Sequence, residues 1–451
     1  MRRRRKKSLP QEPVTLDIES LNHEGRGIAH LDGKVIFVAE SLAGEQVEAQ
    51  YTDRRSKFDE AKCVNLLKKS PDRIEPACEY SSVCGGCSLQ HFHPKAQLSF
   101  KEETLFEKLQ HSIPDGSIDR IRALEGPVSG YRRKARLAVR YVHKKGQVLV
   151  GFREKGNSFI TNMDSCYVLD PRVSNLIPKL KSMLLSLDGF RNIPQIEVAV
   201  GDEIVNSESV ALIFRHLLPL STNDQEILVS FASQNNFTLY LQPGGTDSVH
   251  KVYPDGGNDQ KNMRLYYELP EFNLNMAFHP MDFTQVNAAI NQKMISQALA
   301  LLKLDKNDKV LDLFCGLGNF TLPAATQCQR IVGVEGAQMM VERAYENASR
   351  NKIENCSFYC ADLTQSIRDS SWFDSDFNKV ILDPPRSGAW EILPDLVSSN
   401  TRHILYVSCN PSTLARDAGF LVENGFTLLK AGVMDMFPHT THVESMAVFS
   451  R

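Results

Sequence analysis

Apolar and polar residues alternate along the first part of the chain, between turns that contain glycine. The alternating segments are "VTLDIES", "GRGIAHLDGKVIFVAE", "EQVEAQYTD" and "FDEAKCVNLLKKS". A period of two residues is typical of short strands with one buried face. We therefore predict a small antiparallel β-barrel over residues 9–69, preceded by a disordered basic arm, residues 1–8.

The middle of the chain combines a helical segment with several strand-like segments. Residues 94–112, "PKAQLSFKEETLFEKLQHS", have helical spacing, and they are a candidate for packing on the C-terminal domain. Strand-like stretches follow, among them "YRRKARLAVRYVHKKGQVLVGFRE" and "ESVALIFRHL". This pattern predicts a β-rich central domain over residues 70–265, which the proline-bearing linker "SPDRIEPAC" introduces.

The last part of the chain alternates strands with helices. The strand candidates are "KVLDLFC", "RIVGVEG", "CSFYCADL", "KVILDPP", "HILYVSC" and "TLLKAGVMDMF". Strands that alternate with helices form mostly parallel sheets with helices on both faces. Residues 266–451 are therefore predicted to form a doubly wound, Rossmann-like α/β domain.

Length and charge narrow the class of protein. A chain of 451 residues is too long for one compact core, so we expect a multidomain protein. The formal net charge of −2 excludes a uniformly basic nucleic-acid binder, although a basic face remains open. "MRRRRKKS" is not followed by the apolar segment of a signal peptide, and no apolar run is long enough to cross a bilayer. We expect a cytoplasmic protein without a membrane partner.

A cofactor pocket is indicated where the first strand of the α/β domain meets a turn. "VLDLFCGLGNFTL" contains Gly316 and Gly318, which allow a tight turn and a close approach to a ligand. Glu335 ends the next strand, where an acid can bind a ribose diol, and Asp362 follows the third strand. No third glycine completes the dinucleotide fingerprint, so S-adenosylmethionine fits better than NAD. The alternative is that both acids are solvated strand-end carboxylates.

A reacting site is indicated at the ends of the fourth and fifth strands. "VILDPPRSG" places Asp383 before two prolines, with Arg386 where amino-directed methyltransferases carry an aromatic residue. Cys409 follows the fifth strand, and its thiolate could add to carbon 6 of uracil to activate carbon 5. Glu444 is the candidate base for the carbon 5 proton. A small buried thiol is the alternative for Cys409.

Three cysteines cluster ahead of the predicted helix. Cys78, Cys84 and Cys87 have the spacing C-x5-C-x2-C, and Cys166 lies apart. Four thiolates suit either tetrahedral zinc or a 4Fe–4S cluster, and the "CGGC" end, with no neighbouring histidine at zinc-finger spacing, favours iron–sulfur. Such a cluster would be a structural staple. Buried thiols without a metal are the alternative.

Cations and aromatic residues offer candidate RNA contacts. The basic run consists of Arg132, Arg133, Lys134 and Arg136 in "YRRKARLAVRY". A run of this kind suits phosphate contacts, although it could equally be a solvated face. The barrel aromatics Phe37, Tyr51 and Phe58 could stack on bases or fill the core, and Phe283 is a further candidate contact.

Four motifs together resemble a known family. "LDLFCGLGNFTL", "LDPPRSG", "YVSCNPSTLARD" and "DMFPHTTHVESM" are similar to the motifs of the bacterial RNA (uracil-5-)-methyltransferase family. The resemblance implies that Cys409 is the nucleophile and Glu444 the proton-removing base. It also implies cofactor contacts by Gln285, Phe314, Asn319, Glu335, Asp362 and Asp383.

The front half is similar to the branch of that family that methylates 23S ribosomal RNA. That branch carries an N-terminal TRAM-type oligonucleotide-binding barrel and a 4Fe–4S cluster, matched here by Cys78, Cys84, Cys87 and Cys166. The resemblance implies an enzyme that makes 5-methyluridine in 23S ribosomal RNA. Uracil within a helix cannot reach Cys409, so we expect the target uridine to be single-stranded or flipped out, and we expect the enzyme to be a monomer. Two alternatives are an amino-directed RNA methyltransferase and a non-catalytic RNA-binding assembly protein.

Overall fold

The computed structural model describes residues 9–114, 116–203, 209–254, 264–373 and 376–451. The basic arm predicted over residues 1–8 lies outside these ranges. The chain forms two compact units. The first comprises Met1–Thr104 with Phe437–Thr441, and the second comprises Leu105–Met436 with His442–Arg451.

The first unit contains six short strands, in the region where the sequence predicts a small barrel. They are β1 (Val14–Asp17), β2 (Ser20–Leu21), β3 (Gly27–Leu31), β4 (Lys34–Ala39), β5 (Gln46–Arg54) and β6 (Phe58–Lys68). Their order in the sheet is β1-β5-β6-β4-β3-β2. Alternate residues of these strands, including Leu16, Ile36 and Val47, form one apolar core.

The prediction of a wholly antiparallel barrel is wrong at one strand pair. β4 and β6 run parallel, with Val35 opposite Phe58, whereas the other pairs of this sheet are antiparallel. The reason is that β6 lies between β5 and β4 in the sheet. The chain reverses direction between β5 and β6, and this reversal makes β6 parallel to β4 on its other side.

The predicted helix over residues 94–112 is confirmed as α1 (Pro94–Ser112). Pro94 occupies the first helical position, where a missing N–H costs no hydrogen bond. The Nδ1 atom of His93 accepts the Lys95 amide hydrogen at 3.3 Å, which supports the start of the helix. The boundary between the two compact units falls inside α1, between Thr104 and Leu105.

The second unit begins with a mixed sheet and a hairpin. Its strands are β7 (Asp119–Arg120), β8 (Lys134–Val142), β9 (Gln147–Gly151), β10 (Gln195–Val200), β11 (Val210–Arg215), β12 (Thr238–Gln242), β13 (His250–Tyr253), β14 (Leu265–Leu269) and β15 (Leu274–Phe278). The helices are α2 (Pro171–Ser174), α3 (Ile177–Leu185) and α4 (Thr222–Gln234). Six strands form a sheet of order β13-β12-β11-β10-β8-β9, whereas β14 and β15 pair as a hairpin.

The rest of the second unit is a doubly wound domain, as the sequence predicts. The strands are β16 (Lys309–Leu313), β17 (Arg330–Glu335), β18 (Cys356–Cys360), β19 (Lys379–Leu382), β20 (His403–Ser408), β21 (Thr427–Met434) and β22 (Glu444–Ser450). The helices are α5 (Ala288–Leu302), α6 (Thr321–Ala325), α7 (Gln338–Arg350), α8 (Leu393–Ser398) and α9 (Pro411–Glu423). The sheet order is β18-β17-β16-β19-β20-β22-β21-β7.

The strand order fixes where a ligand can bind. β16 to β20 are parallel, and the order reverses between β16 and β19, which opens a crevice at their carboxyl ends. The central strands are continuous apolar runs because helices cover both faces, and Leu311, Ile381 and Leu405 are fully buried. Within the described residues, no helix is long and apolar enough to cross a membrane.

Candidate active site

The turn after β16 is shaped by three residues in the left-handed backbone region. Phe314, Gly316 and Gly318 have φ angles of +66°, +55° and +92°. A left-handed phenylalanine is rare, because its Cβ crowds the backbone. The Gly316 amide donates to Glu335 Oε2 at 3.1 Å, and the Ala337 amide donates to Glu335 Oε1 at 3.2 Å. The carboxylate that ends β17 therefore holds this turn in place.

Asn319, which closes the turn, is held by two side chains from elsewhere in the second unit. Its Oδ1 accepts the Tyr267 hydroxyl at 2.8 Å and the Asn291 amide at 3.1 Å. Its own amide donates back to Asn291 Oδ1 at 2.9 Å. Burial raises the pKa of Tyr267 well above its ordinary value, so the hydroxyl is a fixed donor. Sequence reasoning missed both partners.

Asp362 is exposed beyond the end of β18. Its Oδ1 accepts hydrogen bonds from the Thr364 hydroxyl at 2.7 Å and the Thr364 amide at 2.9 Å. These bonds favour the ionised carboxylate and lower the pKa of Asp362. We call the turn 314–319, Glu335 and Asp362 the cofactor half of the site.

Two further carboxyl groups belong to the neighbouring strands β16 and β19: Asp312 lies within β16, and Asp383 directly follows β19. Burial raises the pKa of Asp383 to about 7. Burial, together with the charges of Asp383 and Glu335, raises the pKa of Asp312 to about 8, although the Thr321 hydroxyl donates to this carboxylate. The sequence analysis did not single out Asp312, which lies inside the apolar strand β16.

Cys409 and Glu444 are neighbours across an antiparallel strand pair. Ser408, the last residue of β20, lies opposite Ser445 in β22, and the Ser445 hydroxyl donates to the Ser408 carbonyl at 3.2 Å. Cys409, which follows Ser408, and Glu444, which precedes Ser445, therefore lie side by side at the carboxyl edge of the sheet. The sequence predicted both residues for this edge.

The thiol of Cys409 is strongly influenced by its surroundings. Burial raises its pKa to about 11, and the carboxylates of Glu444 and Asp383 act in the same direction. The guanidinium of Arg386 opposes them. At neutral pH the thiol is therefore protonated, and its ionisation depends on this local balance of charges.

Arg386 is held beside Cys409 by the start of α9. Its backbone carbonyl accepts hydrogen bonds from the side-chain amide of Asn410 at 3.0 Å and from the Thr413 hydroxyl at 3.3 Å. Its guanidinium contacts His442 Nδ1 at 3.5 Å. Sequence reasoning treated Arg386 only as a departure from the amino-directed pattern. We call Arg386, Cys409 and Glu444 the reacting half of the site.

Comparison of the sequence with known protein families identifies the family to which the chain belongs. The sequence matches the profile of the tRNA (uracil-5-)-methyltransferase family over residues 95–451, which is more than half of the chain. It matches the TRAM domain over residues 8–64. The chain belongs to the tRNA (uracil-5-)-methyltransferase family. The resemblance inferred from the motifs is thereby confirmed, as are the N-terminal TRAM domain and the methyltransferase fold.

Relatives within this family cover the whole chain. The protein is 50% identical over 448 residues to the 23S rRNA (uracil(1939)-C(5))-methyltransferase RlmD of Alcanivorax borkumensis, with 99% of each chain covered. It is 48% identical over 453 residues to the protein of the same name from Hahella chejuensis, again with 99% of each covered. The Pyrococcus abyssi tRNA (uracil-54, C5)-methyltransferase, solved with S-adenosyl-L-homocysteine, shares the fold. Its TM-score is 0.72 at 23% identity, covering 97% of this chain and all of the other.

In this family member, a loop between β15 and α5 carries Phe283 and Gln285. Asp282, which is buried, accepts the His279 amide at 2.6 Å and Arg343 Nε at 3.0 Å through its Oδ2. The Lys134 ammonium donates to the Pro280 carbonyl at 2.9 Å and to the Asp282 carbonyl. The side chain of Phe283 is presented to solvent, with 73% of the residue's surface exposed.

The predicted basic run has a different environment at each residue. Burial lowers the pKa of Lys134 to about 8, and its ammonium is engaged by the loop below Phe283. Arg133 pairs with Asp202 at 2.6 Å, and the more exposed Arg136 lies 3.2 Å from Glu197. Contact of these cations with RNA stays a prediction.

The TRAM aromatics divide into core and surface. Tyr51 belongs to the apolar core, whereas Phe37 and Phe58 are half-buried and meet edge to face at 5.3 Å. The guanidinium of Arg26 lies 5.4 Å from the Phe37 ring centre, and that of Arg55 lies 5.2 Å from the Phe58 ring centre.

The cysteines of the proposed cluster are thiols without disulfide partners. Cys78, Cys84 and Cys87 lie in the first unit and Cys166 in the second. The Gly86 amide donates to the sulfur of Cys84 at 3.4 Å, a bond that favours the thiolate form a metal needs. In the described part of the chain, no three His, Cys, Asp or Glu side chains stand together as a metal site. The 4Fe–4S cluster stays a prediction.

Proposed function

We propose that this protein transfers a methyl group from S-adenosylmethionine to carbon 5 of a uridine in 23S ribosomal RNA. Two relatives that match it from end to end are named for this activity at uracil 1939, and we assign the equivalent uridine to this chain. The observation that carries the proposal is the pair Cys409 and Glu444 at the sheet edge that also carries the glycine turn. A protein that only binds RNA needs neither residue.

The reaction starts at Cys409. After its proton has passed to water, the sulfur forms a bond to carbon 6 of uracil, and the carbon 5–carbon 6 π electrons move toward O4. Arg386 supplies the positive charge that favours the thiolate against the carboxylates of Glu444 and Asp383.

Glu444 completes the reaction. When bound, S-adenosylmethionine would supply the methyl group: carbon 5 of the enolate would form the new C–C bond as the methyl–sulfonium bond breaks, and its electron pair would stay on the sulfur of S-adenosylhomocysteine. Glu444 then accepts the carbon 5 proton, the C–H electrons restore the carbon 5–carbon 6 double bond, and Cys409 leaves as a thiolate. The uridine must be single-stranded or flipped out, because a stacked base cannot meet a thiol at the edge of a sheet.

Six residues form the proposed cofactor site. They are Gln285, Phe314, Asn319, Glu335, Asp362 and Asp383. The left-handed turn fits a ligand that approaches the backbone closely, and Glu335 keeps acceptor lone pairs for a ribose diol. The exposed, readily ionised carboxylate of Asp362 fits a hydrogen bond from an adenine amino group.

A 4Fe–4S cluster held by Cys78, Cys84, Cys87 and Cys166 is part of the proposal. These four cysteines form no disulfides, and the hydrogen bond from the Gly86 amide to the sulfur of Cys84 favours a thiolate, so the residues suit the four-thiolate donor set that the resemblance implies. The cluster would act as a structural crosslink, since methyl transfer moves no electrons through it. We further propose the division into residues 9–69, 70–265 and 266–451.

The proposed RNA contacts are Arg132, Arg133, Arg136 and Phe283, with Lys134 contributing through the Phe283 loop that its ammonium holds. The exposed ring of Phe283 on a loop fixed by buried polar groups supports a base-stacking role. The paired Phe37 and Phe58 with their arginines suit an unpaired base on the TRAM domain. With ribosomal RNA as substrate, we expect a cytoplasmic enzyme that acts as a monomer.

The test uses 23S ribosomal RNA transcribed with 5-fluorouridine. Fluorine at carbon 5 cannot leave as a proton, so the adduct should persist as a protein–RNA band on a denaturing gel. The band should vanish in Cys409→Ala and remain in Cys63→Ala, which removes a half-exposed thiol from the TRAM domain. Methylation of ordinary RNA by both wild type and Cys409→Ala, without a band, would establish the amino-directed alternative instead.

A further inference from the structure

Trp390 is a half-exposed tryptophan on the loop that follows Asp383. Its relative exposure is 42%, whereas the other of the chain's two tryptophans, Trp372, is buried at 8%. Trp390 belongs to neither half of the site. An aromatic ring presented to water on the loop that continues from Arg386 offers a face on which an unpaired base can stack.

One helix holds the Trp390 ring in place. The Arg416 guanidinium lies 5.0 Å from the ring centre, and the Phe420 ring meets it edge to face at 5.2 Å. Arg416 is itself fixed, because it donates to the Ser387 carbonyl at 2.9 Å and to Asp417 Oδ1 at 2.8 Å. The ring is therefore a fixed surface, and little side-chain entropy is lost when a ligand stacks on it.

The backbone below Trp390 is fixed as well. The buried Asp417 Oδ2 accepts the Ala389 amide at 2.8 Å and the Tyr406 hydroxyl at 2.6 Å. Gly388 has a φ of +86°, and a Cβ there would lie 2.6 Å from that same oxygen. This loop cannot shift to bury the tryptophan without breaking the bonds to Asp417.

The position of Trp390 relative to the reacting half indicates which part of the RNA it would contact. The loop begins at Arg386, and α9, which holds the ring, begins two residues after Cys409. Arg416 is five residues beyond Pro411, the first residue of α9, which is roughly 7–8 Å along the helix. That distance suits a nucleotide next to the target, while the exposed Arg386 provides positive charge for the RNA backbone between them.

We propose that Trp390 stacks on an unpaired base that neighbours the target uridine and so helps to hold the RNA strand across the reacting half. The inference rests on the proposed function, because it takes RNA as the substrate. Aromatic stacking tolerates any base, so Trp390 contributes affinity and placement of the strand without reading its sequence.

Tryptophan fluorescence tests the contact directly. In Trp372→Phe, Trp390 is the remaining tryptophan, so its emission reports on this surface alone. We expect quenching when a 23S ribosomal RNA fragment spanning the target uridine saturates the enzyme. Unchanged emission at saturation would overturn the inference, and this readout leaves the Trp390 side chain intact.

Binding provides the second measurement. Trp390→Ala should weaken binding of the RNA fragment about 5- to 100-fold, the range of one lost base stack, with Trp390→Phe in between. S-adenosylmethionine affinity should stay unchanged, and Leu218→Ala, at a site 57% exposed on another loop, should bind RNA normally. Normal RNA affinity in Trp390→Ala would overturn the inference. Failure of the wild type to methylate the fragment would instead overturn the proposed function.

Discussion

The cofactor half and the reacting half share one sheet edge but are assembled differently. In the cofactor half, each group follows or ends a parallel strand: the glycine turn follows β16 and Glu335 ends β17. In the reacting half, Cys409 follows the parallel strand β20, whereas Glu444 begins the antiparallel strand β22. Parallel strands deliver side chains only from their carboxyl ends. Reversing one strand brings a residue to the same edge from its amino end.

This difference determines how each half responds to change. Adjacent strands lie ~4.8 Å apart, so Cys409 and Glu444 are close enough for the charge of one to change the ionisation of the other. The cofactor half is instead held by backbone amides that donate to Glu335. We therefore expect substitutions in the reacting half to alter chemistry, and substitutions in the cofactor half to alter binding.

Replacing Glu444 should give the largest effect that separates the halves. Glu444→Gln keeps the size of the side chain but cannot accept the carbon 5 proton, so kcat should fall ~10²- to 10⁴-fold. Because elimination of Cys409 depends on that step, a covalent complex with ordinary RNA should accumulate on a denaturing gel. Glu423→Gln, at the exposed end of α9, should behave as wild type. Full turnover by Glu444→Gln would remove Glu444 from the mechanism.

Replacing Glu335 should affect binding instead. Glu335→Gln loses a charged acceptor for the Gly316 and Ala337 amides, so the Kd for S-adenosylmethionine should rise ~10- to 100-fold by calorimetry. At saturating cofactor, kcat should stay within about threefold of wild type. The control Glu342→Gln changes an exposed carboxylate on α7. A large loss of kcat at saturation would show that the two halves are not separable.

The backbone of this edge could be predicted from the sequence because each strand is a short apolar run that ends in glycine, proline or a polar residue. Glu335, Asp383 and Cys409 could be assigned to the edge for that reason, since each ends or follows such a run. The parallel pairing of β4 with β6 could not, because strand partners depend on contacts distant in sequence.

The polar contacts behind the site are the part that sequence patterns do not contain. Asn319 is 28 residues from Asn291 and 52 from Tyr267, and only the folded chain brings them together. Lys134 belongs to a run of cations that all look alike in sequence. Which of them turns inward depends on the carbonyl groups of a loop some 146 residues away.

Arg386 allows a finer test of the electrostatics in the reacting half. Its charge lowers the pKa of Cys409, so Arg386→Gln should raise that pKa further above its value of about 11. At a fixed pH below the pKa, the thiolate fraction and the alkylation rate of Cys409 should then fall several-fold. Mass spectrometry of iodoacetamide labelling between pH 7 and 10 would measure this.

The same labelling experiment includes two control variants, one expected to raise the alkylation rate and one expected to leave it unchanged. Glu444→Gln removes a negative charge and should speed the alkylation of Cys409, because Glu444 raises its pKa. Arg402→Gln, next to the opposite end of β20, should leave the rate unchanged. Slower alkylation in both Arg variants would point to a structural effect and not to the local charge of Arg386.

Replacing Lys134 should give the smallest effect, because this residue supports the Phe283 loop and takes no part in the reaction. Lys134→Met leaves the Pro280 and Asp282 carbonyls without their donor, and the free energy of unfolding should fall by ~1–3 kcal/mol. Because burial lowers the pKa of Lys134 to about 8 from an ordinary 10.5, the unfolded state binds more protons between these values. Wild-type stability should therefore rise with pH across that window, and this rise should disappear in Lys134→Met. Denaturant unfolding at pH 7.5 and 10 measures it, and Lys144→Met, which changes an exposed lysine, should keep the wild-type slope.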